Sequence, residues 1–399
     1  MAIILFEDSA HETLLPLTYT RPVANLRVGI LTIAEKWAKH LKNDFSYLTR
    51  DYLQGKFPIN TTADNTFING AFCPDTELVE AIGKLRTGDA LMYRDSLVAV
   101  RLNESDARKF SPANTSYGQA LKYESLTVSI RYPEDIFRKN DIELRKDFNL
   151  LTKGRTSAVM SATNTIIGTD FFAEEGAIAE CCTFSTLNGP IYLGKNTEIW
   201  EGTNIRGAFA ICEESQVKMG TKIYGATTIG PYCRVGGEIN NAVMWGYSNK
   251  GHEGYLGNSV VGEWCNIGAD SNNSNLKNNY AEVKLWDYTT KSYRKTGLQF
   301  CGLIMADHVK CGINTMFNTG TVVGVGANVF GAGFPPNFIP DFAWGGAQGL
   351  ELYAYDKMME TTARVFERRD HRKFDGNEQT ILKRVFELTG EYRIGRVEE

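Results

Sequence analysis

Aliphatic residues recur at every sixth position through the middle of the chain. The longest unbroken series has eight members: Leu193, Ile199, Ile205, Ile211, Val217, Ile223, Ile229 and Val235. The same register returns at Val261, Ile267, Met305, Cys311, Phe317, Val323 and Val329. A period of six differs from the ~3.6 of an α-helix, but it is a multiple of the two-residue repeat of a β-strand. It therefore predicts short parallel strands wound into a β-helix around an aliphatic core.

Glycine is concentrated in the same part of the chain. Of 38 glycines, 26 fall between Gly189 and Gly349, and such residues can take the positive φ values of sharp corners. An all-β sandwich with accidental spacing is the alternative, but sandwiches do not hold one register for so many steps. The repeat is interrupted over 239–259 and 272–303. We expect loops there that project from a rigid scaffold, which is where chemistry usually lies.

The regions on either side of the repeat follow other patterns. Apolar runs at 2–6, 66–68, 90–93 and 97–101 alternate with helical spacing over 29–41 and 76–85, the second with Asp75 as an N-cap. Two amphipathic helices are predicted over 350–372 and 377–388. The sequence therefore predicts an α/β domain over 1–160, a β-helix over 161–345 and a helical extension over 346–399.

Composition and charge exclude several classes of protein. The chain has 399 residues with a net charge of −4, which does not attract nucleic-acid phosphates. Its eight cysteines contain no Cys-x-x-Cys pair, so neither a zinc site nor a disulfide framework is expected, and a cytoplasmic location is favoured. Residues 1–8 turn acidic after a short apolar run, as in a buried strand rather than a signal peptide. No run approaches the ~18 apolar residues of a membrane helix.

A segment around His252 resembles a known family of transferases. Residues 250–269 read Lys-Gly-His-Glu-Gly-Tyr-Leu-Gly-Asn-Ser-Val-Val-Gly-Glu-Trp-Cys-Asn-Ile-Gly-Ala. In the GlmU family (bifunctional N-acetylglucosamine-1-phosphate uridylyltransferase/glucosamine-1-phosphate acetyltransferase) the pattern is Lys-Ala-Gly-His-x-x-Tyr-Leu-Gly-Asp, then a spacer and Asn-Ile-Gly-Ala. The resemblance implies an α/β nucleotidyltransferase-like N-terminal domain plus a left-handed parallel β-helix of hexapeptide repeats, with C-terminal helices added here. It also implies a homotrimer with sites between subunits.

The resemblance assigns candidate site residues. It places His252 at the general base for acetyl transfer and Ala269 near the coenzyme A contact. The predicted substrate contacts are Tyr255, Asn266, Arg234, Lys250, Asn279 and Tyr280. An imidazole, with an ordinary pKa of about 6.5, accepts a proton from an attacking amine or hydroxyl, and backbone N–H groups donate to the oxyanion that forms. The alternatives are that His252 is a loop histidine held by backbone hydrogen bonds, that the asparagines lie at tight β-helix corners, and that Lys250 and Arg234 are solvated charges. His308 is predicted in a surface turn.

Other positions differ from the family. Its second arginine in Gly-Pro-Phe-Ala-Arg-x-Arg is Gly236, and a substrate lysine is Asn240, so the acceptor need not be glucosamine 1-phosphate. Residues 15–22, Leu-Pro-Leu-Thr-Tyr-Thr-Arg-Pro, resemble sugar nucleotidyltransferases, but no glycine precedes residue 29. The metal-binding Asp corresponds to Ala71. The cations left to hold nucleotide phosphates are Arg21 and Arg27.

Three functions are consistent with the sequence. The favoured one is acyl transfer, most simply of acetyl, from acyl-coenzyme A to an amino sugar phosphate or a nucleotide-linked amino sugar, with His252 as the base. The second is a Mg²⁺-dependent sugar-1-phosphate nucleotidyltransferase of the uridylyl or thymidylyl type, whose β-helix serves assembly or regulation. The third is a non-catalytic sugar-nucleotide-binding protein. The first is preferred because the segment around His252 is intact whereas the N-terminal signature has decayed.

Overall fold

The computed structural model describes residues 2–113, 117–368 and 372–393. Its contacts divide the chain into two compact units. The first unit comprises Leu31–Tyr132 and the segment that precedes Arg27. The second comprises Arg27–Ile30 and the described chain from Pro133 onward.

The first unit is built on a mixed six-stranded sheet. Its strands are β1 (Ala2–Phe6), β2 (Phe45–Leu48), β3 (Asp64–Asn69), β4 (Asp89–Tyr93), β5 (Ser96–Asn103) and β6 (Gln119–Lys122), in the order β2-β1-β3-β5-β4-β6. Strand β1 pairs in parallel with both β2 and β3, whereas β5 is antiparallel to β3 and β4. Ile4, Phe6 and Phe67 are fully buried. The predicted α/β domain is therefore confirmed, with its apolar runs as core strands.

The described part of this unit contains five α-helices: α1 (Ala10–Thr13), α2 (Ile33–Leu41), α3 (Asp51–Gln54), α4 (Thr76–Gly83) and α5 (Glu104–Ala107). Helix α4 begins where predicted, and Asp75 caps it by accepting from the Leu78 N–H at 2.9 Å. Helix α2 begins later than the predicted residue 29. Thr32 and Glu35 form a reciprocal capping box that starts the helix at Ile33.

The second unit opens with helix α6 (Pro133–Thr152) and continues as a parallel β-helix. The first coils contain β7 (Thr165–Ile167), β8 (Phe171–Ala173), β9 (Ile178–Ala179), β10 (Thr183–Ser185), β11 (Ile191–Leu193), β12 (Glu198–Ile199), β13 (Asn204–Arg206), β14 (Phe209–Ile211), β15 (Gln216–Val217), β16 (Lys222–Tyr224), β17 (Thr227–Ile229) and β18 (Arg234–Val235). Each pairs in parallel with the strand three places away, as β10 does with β7 and β13. Every member of the hexapeptide series is buried in one core cluster. The predicted β-helix is confirmed.

The first interruption of the repeat is not a projecting loop. It contains β19 (Glu238–Gly246), β20 (Asn249–Lys250) and β21 (Tyr255–Glu263), followed by β22 (Asn266–Ile267) and β23 (Asn272–Asn273). Strand β19 pairs with β16 through its first residues and with β17 through Val243 and Met244. The prediction over 239–259 is therefore wrong for most of that segment. One long strand replaces two short strands and their corner, which shortens the coil and breaks the period of six.

The second interruption does leave the coil, as an antiparallel hairpin of β24 (Lys284–Asp287) and β25 (Ser292–Lys295). The remaining strands are β26 (Leu303–Met305), β27 (Lys310–Cys311), β28 (Met316–Phe317), β29 (Thr321–Val323), β30 (Asn328–Val329), β31 (Phe338–Ile339), β32 (Ala343–Gly346) and β33 (Gly349–Leu352). Helices α7 (Tyr355–Glu367) and α8 (Gly376–Leu388) follow. Helix α7 is shorter than predicted, and part of that prediction, 369–371, lies outside the described residues.

Helix α7 covers a turn that was expected to be exposed. His308 lies in a turn with a φ of 63°, but the prediction of a surface position is wrong because its ring stacks on Phe366 of α7. The same phenylalanine stacks on Trp264, with ring centroids 3.9 Å apart. In the part of the chain that the structure describes, no helix combines the length and apolar character needed to cross a bilayer.

Candidate functional site

The turn that carries His252 joins two faces of the β-helix. It comprises residues 251–254, between β20 and β21, and the side chain of His252 is exposed. Gly236 and Gly237 pack directly against the backbone of this turn. A Cβ atom at position 236 would lie 2.8 Å from the Gly251 carbonyl oxygen. The arginine that the family has at this position therefore does not fit here, and the close packing holds the turn in place.

Lys250 holds the same turn from inside. Its Nζ donates to the carbonyl oxygens of Gly236 and His252, both at 2.9 Å, and the residue is only 2% exposed. Burial lowers the pKa of Lys250 to about 8, although the charges of Glu253 and Asp270 act in the opposite direction. Lys310, two coils further on, makes a similar pair of bonds by donating to the His308 and Trp264 carbonyls. The predicted phosphate contact therefore has two backbone partners of its own.

The depressed pKa of Lys250 predicts a stability difference that depends on pH. Between its folded value of about 8 and its ordinary value of 10.5, the unfolded state binds more protons, so the free energy of unfolding increases with pH in that window. A Lys250→Met variant lacks this contribution. We expect wild type to gain up to about 3 kcal/mol relative to the variant as the pH rises through the window.

Urea unfolding at pH ~7.5 and ~9.5 measures the free energy of unfolding of wild type and of Lys250→Met. The comparison shows how much more this free energy increases with pH in wild type. The lost carbonyl bonds lower the stability of Lys250→Met by similar amounts at both pH values, so they do not affect the comparison. The matched control is Lys222→Met, which removes an exposed lysine of the same unit. Parallel pH dependences for wild type and Lys250→Met would contradict the prediction.

Polar side chains line the face on one side of the turn. Lys222, Glu238 and Tyr255 are in register across β16, β19 and β21. The Tyr224 hydroxyl donates to Glu238 Oε1 at 2.6 Å. The Tyr255 hydroxyl accepts from Asn275 Nδ2 at 2.9 Å. Tyr255, a predicted substrate contact, thus belongs to a hydrogen-bonded polar surface that begins three residues after His252.

The face on the other side of the turn carries two more predicted contacts. Arg234, Asn249 and Asn266 are in register across β18, β20 and β22. Asn266 is exposed, and its Oδ1 accepts from Asn249 Nδ2 at 3.5 Å. Arg234 donates to the Glu214 carbonyl at 2.7 Å. His252 therefore lies at the corner between the sheet of Tyr255 and the sheet of Arg234 and Asn266.

The remaining predicted residues lie further along the chain. Ala269 follows β22, and its carbonyl accepts from the Asn314 N–H at 2.8 Å. Asn279 and Tyr280 are exposed and precede the hairpin of the second interruption. Asn279 Oδ1 accepts from the Ala281 N–H at 3.1 Å. These two residues belong to the excursion, not to the turn of His252.

The first unit has a cavity at the carboxyl end of β1. Its volume is about 470 Å³.

The cavity lies where open α/β sheets bind ligands. Strand β1 has β2 on one side and β3 on the other, and such a switch point leaves a crevice at the carboxyl ends of the strands. The polar side chains that line the cavity are Glu7, Asp8, Ser9, Arg50, Asp95, Ser96, Ser111 and Arg131. Two guanidiniums and three carboxylates therefore lie together at this edge, with serine hydroxyls beside them.

The two carboxylates next to β1 are held by donors of the same unit. Burial raises the pKa of Asp8, but Arg131, at 2.6 Å, and the Ala10 N–H outweigh it, so the pKa lies below its usual range. Burial also raises the pKa of Glu7, and bonds from His11 and Thr49 outweigh it in the same way. Both carboxylates therefore stay ionised while their oxygens are occupied.

These residues do not fit the Mg²⁺ that nucleotidyl transfer requires. Ala71, at the position of the family's metal-binding Asp, is a buried methyl group. The oxygens of Glu7 and Asp8 already accept from neighbouring donors. Within 2–113, 117–368 and 372–393, no group of three or more His, Cys, Asp or Glu residues is placed to hold a metal ion.

The cations at this cavity differ from those predicted. Arg21 lies in the first unit and is buried. Arg27 is buried in the second unit, where it donates to the Ile30 carbonyl. The lining contains Arg50 and Arg131 instead. Arg50 comes two residues after β2, and it was missed in the sequence because no strand was predicted over 45–48.

Comparisons with known proteins bear on the first unit. The model of a family described as sugar nucleotidyl transferase matches residues 3–156. No curated protein matches the chain. The chain is similar to the polySia specific acetyltransferase NeuO, with 13% identity, 53% of this chain and 99% of that chain covered, and a TM-score of 0.26. It is also similar to an Arabidopsis UDP-N-acetylglucosamine acyltransferase, with 12% identity, 59% and 94% covered, and a TM-score of 0.25.

Likeness at these TM-scores supports no inference about this chain. Residues 3–156 are thus similar to the sugar nucleotidyl transferase family, and they contain the mixed sheet of the first unit. The match covers less than half of the chain, and the β-helix lies outside it.

Proposed function

We propose that the protein is an acyltransferase of sugar-nucleotide metabolism. It transfers an acyl group from acyl-coenzyme A to a phosphorylated or nucleotide-linked amino sugar, with His252 as the general base. The observation that carries the proposal is the turn of residues 251–254. Its backbone is held by Lys250 and by the glycines at 236 and 237, while the imidazole of His252 is exposed. A general base has to be held in a fixed position relative to the group that it deprotonates, and a fixed turn at the corner between two polar faces provides this.

The chemistry is that of acyl transfer from a thioester. The imidazole of His252 takes a proton from the acceptor amine or hydroxyl as that group attacks the thioester carbonyl carbon. The tetrahedral intermediate collapses with cleavage of the carbon–sulfur bond, and the thiolate of coenzyme A receives the proton. Backbone N–H groups of the β-helix are the donors available to the oxyanion. Tyr255 and Asn266, on either side of the corner, are placed to orient a sugar.

The test of this function is the release of free thiol from a set of acyl-coenzyme A donors, acetyl-coenzyme A among them, in the presence of hexosamine phosphates and nucleotide-linked amino sugars. Acceptor-dependent release supports the proposal, and the absence of release with every acyl donor and acceptor of this panel would refute it. We also propose that the active assembly is a homotrimer, which sedimentation of the full chain measures directly. A monomer that is fully active would overturn that part.

The second candidate function is the binding of a sugar phosphate or nucleotide sugar by the first unit. It is favoured by the family match and by the cavity that contains Arg50 and Arg131. Because the residues there do not fit Mg²⁺, we favour binding over metal-dependent nucleotidyl transfer at this site.

Replacing Arg50 with glutamine tests the cavity. Arg50 is partly exposed and pairs with Glu12, so we expect the variant to fold. Loss of one guanidinium–phosphate contact weakens binding of UDP-N-acetylglucosamine or glucosamine 1-phosphate by about tenfold, as isothermal titration calorimetry measures. Arg108→Gln, which removes an exposed arginine paired with Glu104 in the same unit, is the matched control. Equal affinities for wild type and Arg50→Gln would exclude Arg50 from the site.

A further inference from the structure

A second cavity, with a volume of about 740 Å³, lies between helix α6 and the β-helix. Arg138, Asp141 and Arg145 of α6 line one wall. They share one face of the helix because they are three and four residues apart. Arg206, the last residue of β13, and Tyr224, the last residue of β16, line the opposite wall. All of these residues belong to the second unit. We call this cavity the α6 groove.

The α6 groove is positively charged. Its lining contains three arginines and one acidic residue, Asp141. Arg145 Nε is 3.1 Å from both carboxylate oxygens of Asp141, so this pair is internally neutralised. Arg206 donates to Asn188 Oδ1 at 3.2 Å, and Arg138 Nη1 is 3.9 Å from Asp135. Arg138 and Arg206 are both exposed. Two guanidiniums, one from each wall, therefore line an open cavity.

The α6 groove borders the same face of the β-helix as Tyr255. Tyr224 lines the groove, and its hydroxyl donates to Glu238. Glu238 is in register with Tyr255 on the next strand, and Tyr255 follows the turn of His252. The groove lies at one edge of this face and the turn of His252 at the other, so a molecule bound by its anionic end in the groove can extend across the face toward the proposed base.

We infer that the α6 groove binds the pyrophosphate of a nucleoside diphosphate ester that takes part in the reaction. This inference rests on the proposed acyl transfer, since it assigns the groove to one of its substrates. Guanidiniums form paired hydrogen bonds with phosphate oxygens, and two of them on opposite walls match the two phosphates of a pyrophosphate. Acyl-coenzyme A and nucleotide-linked sugars share this chemical group, so the experiment has to separate them.

The experiment is a set of binding titrations with the full-length chain. The ligands are inorganic pyrophosphate, coenzyme A and UDP-N-acetylglucosamine. The last is titrated into an Arg50→Gln background, so that the cavity of the first unit does not mask the groove. The variant is Arg138→Gln/Arg206→Gln. The control is Arg384→Gln, which removes an exposed arginine paired with Glu387 in α8 of the same unit. Thermal unfolding checks that each variant is folded.

We expect the double variant to bind pyrophosphate at least about tenfold more weakly than wild type, and the control to bind it normally. A parallel loss for coenzyme A identifies the acyl donor as the occupant, and a parallel loss for UDP-N-acetylglucosamine identifies the acceptor. Unchanged affinity of the double variant for all three ligands, or no binding of pyrophosphate to wild type, would overturn the inference.

The same titrations separate this inference from the proposed function. Binding is measured without turnover, so it does not depend on the base. If His252→Ala retains acyl transfer while the double variant loses pyrophosphate binding, the assignment of His252 fails and the groove stands. If His252→Ala loses transfer and the double variant binds normally, the groove fails and the base stands.

Discussion

His252→Ala lowers the turnover of acyl transfer by about 10²–10⁴-fold, the contribution typical of a positioned general base. Without the imidazole, the attacking amine or hydroxyl has to lose its proton to water while its bond to the thioester carbonyl forms. The side chain of His252 is exposed, and the turn is held by Lys250 and by the glycines at 236 and 237. We therefore expect the substitution to leave the fold and the assembly unchanged.

The assay is the release of free thiol from acetyl-coenzyme A, followed with saturating acceptor. Glu253→Ala is the matched control, because it truncates the adjacent side chain of the same turn, which is also exposed. Melting temperature and sedimentation confirm that both variants are folded and assembled alike. Turnover of His252→Ala within a few-fold of wild type, or an equal loss in Glu253→Ala, would remove His252 from the role of base.

Ile223→Ala destabilises the β-helix by about 2–5 kcal/mol. Ile223 is the central residue of β16, is 1% exposed and belongs to the core cluster formed by the hexapeptide series. Its neighbours in the stack, Ile205 and Ile239, are its partners in the adjacent coils. Because each coil packs mainly on its two neighbours, a cavity in one coil weakens both interfaces.

Lys222→Ala is the control for this core substitution. Lys222 precedes Ile223 in the same strand, but its side chain points outward and is 52% exposed, so we expect a change within about 0.5 kcal/mol. Urea unfolding curves give the difference in stability from the shift in midpoint at constant slope. Equal destabilisation by the two variants would show that the positions repeating every six residues are not the ones that stabilise the core.

The architecture of both units was accessible from the sequence. The positions from Leu193 to Val235 predict the core of the β-helix because inward-facing residues recur along the chain at a fixed spacing. The strand at 2–6 and the cap at Asp75 were also predicted, because each depends only on residues close together in sequence. The register broke at residue 239 because one long strand replaced two short ones, and periodicity contains no information about where a corner is omitted.

The arrangement of the candidate site residues was accessible only in part. The resemblance singled out His252, Tyr255 and Asn266 but did not show that they lie on two faces that meet at a corner. It suggested Lys250 as a phosphate contact, whereas the structure shows that this lysine binds two carbonyls of the backbone. The partners of a buried cation depend on which carbonyls the coil brings within reach, and those lie up to 14 residues away.

The sequence by itself determined the β-helix, its aliphatic core and the α/β character of the first unit, because hydrophobic spacing is a local property that each strand expresses independently. Only the tertiary structure decided which polar groups meet. Asp8 and Arg131 are hydrogen-bonded although they are 123 residues apart in the sequence. The α6 groove is lined by α6 and by β13 and β16, which follow it much later in the chain. The physical reason is that charges and hydrogen-bonding groups act over a few ångströms in space, and the path of the chain sets those distances.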